Sequence, residues 1–279
     1  MQYGCNKVVI FNIQWEQAPK YTTTKTLNSR DGFLKRRKRP RRKLWVYQIQ
    51  LESDYEELYP DSSMKMYSEL PQFSEKVLSY ARKQKDKDIQ QRIKEIDEEE
   101  SADVKNLKCL FLLPFLLGMR TIKRKKGQKC WRPSKIEVSE GFVIHLKSIS
   151  ELKTIVEAKV NKLDKFGLTL QPTPVLIGEE ISTIRDSYVY VSGHLYQVST
   201  PIKAIDICFK VIHAVHALYP YESETVWLLL QKCLYGIISE WDKNFISVNL
   251  LMQDLGYNKW IYNHIYVIFD RFVYLLIFF

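Results

Sequence analysis

A chain of 279 residues that is 46% hydrophobic and 27% charged can bury a sizeable core, which excludes a wholly disordered protein. Its net charge of +10 is unevenly placed: residues 1–50 hold 12 Lys and Arg against Glu16 and Asp31, whereas residues 51–279 hold 30 charges of each sign. That layout excludes a uniformly basic body and predicts a basic arm able to meet nucleic acid, a nuclear import receptor or an acidic partner.

Residues 1–46 read as this arm, largely disordered, and it ends in the run KRRKRPRRK. Lys35, Arg36, Arg37, Lys38, Arg39, Arg41, Arg42 and Lys43 repel one another and form an extended cationic strip interrupted by Pro40, suited to nuclear import or to phosphate contact. Residues 47–119 read as a helical region. Its first part, Tyr47 to Pro71, mixes acidic and aromatic residues and is expected to hold a short docking element. Phe73, Val77, Tyr80 and Ala81 recur at helical spacing, as do Ile89, Ile93 and Ile96, predicting one or two amphipathic helices that end in the acidic run Asp97–Glu100. LKCLFLLPFLLGM, residues 107–119, is too short for a membrane span and predicts a buried helix broken or bent at Pro114. Residues 120–135 read as a basic linker, punctuated by Gly127 and Pro133, that separates two domains.

Residues 136–256 carry the clearest element signals. GFVIHLKS predicts a strand, Ser150 a cap for a helix through ELKTIVEAKVNKLDKF, and Gly167 its stop. LTLQPTPVLIG predicts extended chain, and SYVYVSGHLYQVS two strands meeting at a Ser192-Gly193 turn. Thr200 and Pro201 open a helix expected to reach Tyr219, and Ser223 caps a second through ETVWLLLQKCLYGI. The order β-α-β-β-β-α-α predicts an α+β fold: a helical N-terminal half, then a domain with a small, mainly antiparallel sheet covered by a helical hairpin.

Within DICFKVIHAVHALYP, residues 206–220, a cysteine and two histidines raise the question of a metal site. On a helical wheel at about 100° per residue, Cys208 and His216 fall in the apolar arc and His213 on the polar side with Asp206 and Lys210. Cys208 and His216 would lie about 12 Å apart along the axis, far beyond ligand bonds near 2 Å. A zinc ion shared by His213, His216 and Cys233 would need a fourth ligand from elsewhere. The expectation is therefore packing: Cys208 in the core, His216 a buried, hydrogen-bonded imidazole, and no metal or cofactor.

The KRKK patch at 123–126, with Lys129 and Arg132 near Trp131, reads as a solvated loop, and Cys130 beside it as a free surface thiol. No G-x-S-x-G, phosphate-loop or Ser/His/Asp pattern occurs, so no enzyme is expected and no small-molecule substrate is evident. The five cysteines, which include Cys5 and Cys109, contain no C-x-x-C pair and predict reduced thiols in the nucleus or cytoplasm. The opening run VVIFNI is too short for a signal peptide. Residues 257–279 form an apolar tail divided by Asp270 and Arg271, which argues against a membrane anchor and for a terminus foreign to the rest of the chain.

The blocks CLFLLPFLLG, WRPSKIEVSEGFVIHLKSISELKTIV, LQPTPVLIGEEI and AIDICFKVIHAVHALYPYESETVWLLLQKCLYGI, with ESDYEELYPDSSMKMYSELPQFSEKVL more loosely, carry a resemblance. They resemble a large family of uncharacterised proteins abundant in insects and fish, often present in many copies as transposon-associated genes are. The resemblance covers about residues 50–255 and implies no catalytic residues; the tail and the N-terminal binding modules of longer relatives fall outside it. The expectation is a non-enzymatic, nuclear interaction module with a protein partner. The alternative is a nucleic-acid-binding regulator that uses the basic arm for phosphate contact.

Overall fold

The computed structural model describes residues 44–118, 130–239 and 242–257, with 44–50 described in backbone only. Four helices precede any strand: α1 (Leu44–Leu58), α2 (Lys65–Ala81), α3 (Lys87–Asp97) and α4 (Ala102–Leu116). Phe73, Val77 and Ala81 lie on the buried face of α2, and Ile89, Ile93 and Ile96 on that of α3, so the helical spacing over 72–100 resolves into two helices. Asp86 caps α3 by accepting from the Asp88 and Ile89 amides, and Ser101 caps α4 by accepting from Val104. A full helix, α1, and the start of α2 occupy the region expected to hold only a short docking element. Pro114 does not break α4. Its missing amide forfeits the bond to the Leu110 carbonyl, yet the helix continues to Leu116 and the Leu117 amide reaches the Leu113 carbonyl.

The second half runs α5 (Lys135–Phe142), β1 (Ile144–Leu146), α6 (Leu152–Asp164), β2 (Thr173–Gly178), β3 (Ile184–Val191), β4 (His194–Val198), α7 (Pro201–Ala214), α8 (Glu224–Cys233) and α9 (Ile246–Asp254). The four strands form one sheet in chain order, β1 parallel to β2 and the other two pairings antiparallel. A parallel pair needs a crossover, and α6 supplies it. Thus the protein is α+β, with a helical N-terminal half and a small, mainly antiparallel sheet behind it. Helices α5 and α9 were not foreseen, although Ser134-Lys-Ile-Glu137 is a capping box, each side chain bonding the other residue's amide. The same device corrects the start of α6: Ser148 and Glu151, not Ser150, form the cap, leading through a 3-10 turn at Ile149–Glu151.

Alternation along the strands divides the sheet into two apolar faces. Leu176, Val189 and Tyr196 face α7 and the main core. Ile144, Leu146, Val175 and Ile177 face the other way and pack with Leu152, Ile155 and Val156 of α6, while Tyr188, Tyr190 and Leu195 flank them. Of the α7–α8 pair, α7 is the member that lies on the strands; it also packs on α1 and α4, and α8 packs on α9. The main core is continuous from Tyr55 and Met66 of the N-terminal helices to Trp227 and Leu251 of the C-terminal ones.

The β3–β4 turn falls at Ser192 and Gly193, both left-handed with φ of 47° and 88°, as a two-residue hairpin loop requires. Gly167, φ 65°, stops α6 with its amide on the Asp164 carbonyl. Helix α7 ends at Ala214, five residues before the expected Tyr219: His216 turns left-handed at φ 51°, and the Ala217 amide closes back on the Ile212 carbonyl. Ser223 stands at the start of α8, yet its hydroxyl makes no cap bond; its carbonyl accepts from the Trp227 amide instead. Thr200 does cap α7, accepting from the Lys203 amide at 3.1 Å. Thr200→Ala is expected to lower the unfolding free energy by about 1 kcal/mol, read from a urea melt, because that amide then has no protein partner.

Candidate functional site

Helix α7 is buried almost all round, and the face read as polar points inward. Asp206 and Lys210, one helical turn apart, are 1% and 2% exposed and pair at 2.9 Å. The second carboxylate oxygen of Asp206 accepts from the Tyr235 hydroxyl at 2.9 Å, and the Lys210 ammonium also donates to the Ser63 carbonyl at 2.8 Å. Burial pushes the Asp206 carboxyl upward, and Lys210 and Tyr235 hold it back. The group ties the α1–α2 connection, α7 and the end of α8 together. Its members face one another rather than solvent.

His213 belongs to a second chain of hydrogen bonds on the same flank. The Tyr219 hydroxyl donates to Gln231 Oε1 at 2.8 Å, so it accepts from His213 Nε2 at 2.7 Å. Its tautomer is thereby set: Nε2 carries the proton, and Nδ1 accepts from the Tyr59 hydroxyl at 3.1 Å. Gln231 in turn donates to Asp242 at 2.8 Å and to the Ile237 carbonyl at 3.2 Å, and Lys232 lies 3.8 Å from Asp242. Burial, with a smaller contribution from His216, lowers the His213 pKa to about 4.

This arrangement reverses the expected roles of the two histidines. His216 was expected to be buried; it is exposed, because α7 has already ended and the wheel no longer applies. His213, assigned to the polar side, is largely enclosed by Tyr55, Tyr59, Phe209 and Tyr219. Cys208 is a core residue at 0% exposure, and burial pushes its thiol well above the ordinary range. Cys233 is buried on α8, Cys109 in α4, and Cys130 is exposed. Among the described residues no group of three or more His, Cys, Asp and Glu stands close enough to hold one ion. The basic residues Lys35, Arg36, Arg37, Lys38, Arg39, Arg41, Arg42 and Lys43 lie outside the described residues, as do the patch at 123–126 and residues 258–279. No helix among the described residues is long and apolar enough to cross a membrane.

A second polar site opens to solvent between α5, β1 and α6. This cleft, of about 290 Å³, has apolar walls from Ile144, Leu146 and Ile155, and charged ones from Glu137 and Glu140 of α5, Lys159 and Lys162 of α6, and Glu222 of the α7–α8 connection. Lys162 and Glu137 are in direct contact, and the Lys162 ammonium also lies 4.7 Å from the centre of the Trp131 ring, which stacks on Phe166 at 4.8 Å. Lys159 and Glu222 are largely buried yet 3.9 Å apart. Burial lowers the Lys159 pKa, against the opposing pull of Glu222 and Glu140. No sequence signal announces this cleft, because its charges come from three separate segments; the Asp206–Lys210 pair, by contrast, is visible as an i, i+4 spacing.

Comparison with family models, with curated proteins and with solved structures finds no match to the chain.

Proposed function

We propose that the chain is a non-enzymatic interaction module of the nucleus, delivered there by the cationic strip from Lys35 to Lys43. The observation that carries this reading is the charge layout: 12 basic residues against two acidic ones in the first 50, followed by 30 of each sign in the rest. A body with no net charge offers polyanions no overall attraction, which leaves the strip to act as a separable address. The state of the body's buried polar groups supports the non-enzymatic part, since Asp206, Lys210, Tyr235 and His213 are engaged in internal hydrogen bonds. Exposed apolar side chains such as Leu218, Ile246 and Met64, each more than 60% exposed, supply material for protein contacts.

The test is the full-length protein with its eight basic residues at 35–43 changed to glutamine. Loss of nuclear accumulation in cells, with an unchanged melting temperature, is the expected result. An unchanged distribution would refute the assignment. The same pair of proteins separates the nucleic-acid-binding alternative: duplex binding that keeps a sequence preference after neutralisation would place specificity in the body and favour a regulator.

A further inference from the structure

In the cleft between α5, β1 and α6, Lys159 and Glu222 attract each other without touching. Their side chains are 14% and 7% exposed, the nearest N···O distance is 3.9 Å, and neither makes a hydrogen bond among the described residues. Buried opposite charges ordinarily close on each other or are satisfied by other polar groups. Glu137 and Lys162, in the same cleft, have closed. Glu222 is wedged in place: Gly141 of α5 leaves its backbone bare there, and a Cβ on it would stand 2.6 Å from the Glu222 Cβ. Lys159 comes from a different element, α6, and also lines the cleft. The pair thus stands at ion-pair distance without a hydrogen bond, both members line the cleft, and each charge keeps unused hydrogen-bonding capacity.

The geometry points to a binding site for a small zwitterion of the α-amino-acid kind, its carboxylate on Lys159, its ammonium between Glu222 and Glu140, and an aliphatic side chain against Ile144, Leu146 and Ile155. A ligand with one charge of each sign satisfies both members of the pair at once, whereas a lone anion or cation satisfies one and repels the other. Glu140, exposed and already pulling on Lys159, supplies the second acceptor for the ammonium. The volume, about 290 Å³, falls just below the usual range for ligand pockets, roughly 300–1,000 Å³, which suits an amino acid and not a nucleotide. This site is independent of the basic arm and of the proposed nuclear role.

L-Leucine is the probe, with 3-methylbutylamine, which lacks its carboxylate, and 4-methylpentanoate, which lacks its ammonium. Calorimetric titration and thermal melting of the full-length protein are expected to show saturable binding of L-leucine in the millimolar range, and at least about tenfold weaker binding of each relative. Lys159→Met weakens L-leucine and 4-methylpentanoate but not the amine; Glu222→Gln weakens L-leucine and the amine but not the acid. Where either variant fails to fold, the three ligands on the unaltered protein decide alone. No saturable signal with L-leucine, or equal binding of all three compounds, overturns the assignment.

Discussion

Asp206→Ala is expected to cost about 3–5 kcal/mol of unfolding free energy, because it strands the Lys210 ammonium in the core with only the Ser63 carbonyl to bond. The Tyr235 hydroxyl loses its acceptor in the same step. Chemical denaturation measures the loss directly. The double variant Asp206→Leu, Lys210→Met removes both charges and is expected to recover about half of it or more, since desolvation of an unpaired ion dominates the single variant. A loss below about 1 kcal/mol for Asp206→Ala would mean that the pair is open to water, and would remove the reason for treating this group as structural.

Acidification acts on the second hydrogen-bond chain. His213 has a folded pKa of about 4 against 6.5 for the free side chain, so between those values the unfolded state binds the proton and the folded state does not. Stability therefore rises with pH across this window and falls as pH is lowered through it, by about 2 kcal/mol at pH 5 and about 3 kcal/mol in full. The groups around the imidazole are Tyr55 from α1, Tyr59 just after it, Phe209 from α7, and His216 and Tyr219 from the connection that follows α7; none is a carboxylate in contact that would favour the cation. In His213→Gln the drop in unfolding free energy between pH 7 and pH 5 should shrink by about 2 kcal/mol relative to the unaltered protein. Equal drops in the two proteins would show that His213 titrates normally and that its hydrogen bonds to Tyr59 and Tyr219 are not maintained.

These two sites also mark the boundary of what composition and spacing reveal. Much of the local chemistry was legible: the apolar repeats of α2 and α3, the Thr200 cap, the Ser192-Gly193 turn and the Gly167 stop all depend on neighbours in the chain. The α+β class follows from the succession of those local signals. The reading failed in two ways: local caps at Ser134 and Ser148 were passed over, and on α7 contacts from far along the chain intervened. The helical wheel placed Asp206, Lys210 and His213 on the polar side of α7, which does not say whether that side meets water or protein. Tyr59 and Ser63, well over a hundred residues earlier, occupy that side and supply the partners that make burial affordable.

His216 shows the same limit from the other direction: its place on the wheel presumed a helix that the left-handed backbone at His216 itself ends. The charged cleft had no signal at all, because Glu140, Lys159 and Glu222 acquire a common meaning only when α5, α6 and the α7–α8 connection are brought together. The sequence by itself determined most of the elements (α5 and α9 excepted), the β3–β4 hairpin and the separation of a basic arm from a balanced body, since these depend on short-range sterics and on counted charge. Only the tertiary structure decided which polar side chains are enclosed and which charges are left facing a cavity, since burial and pairing are properties of segments distant in the chain and adjacent in space.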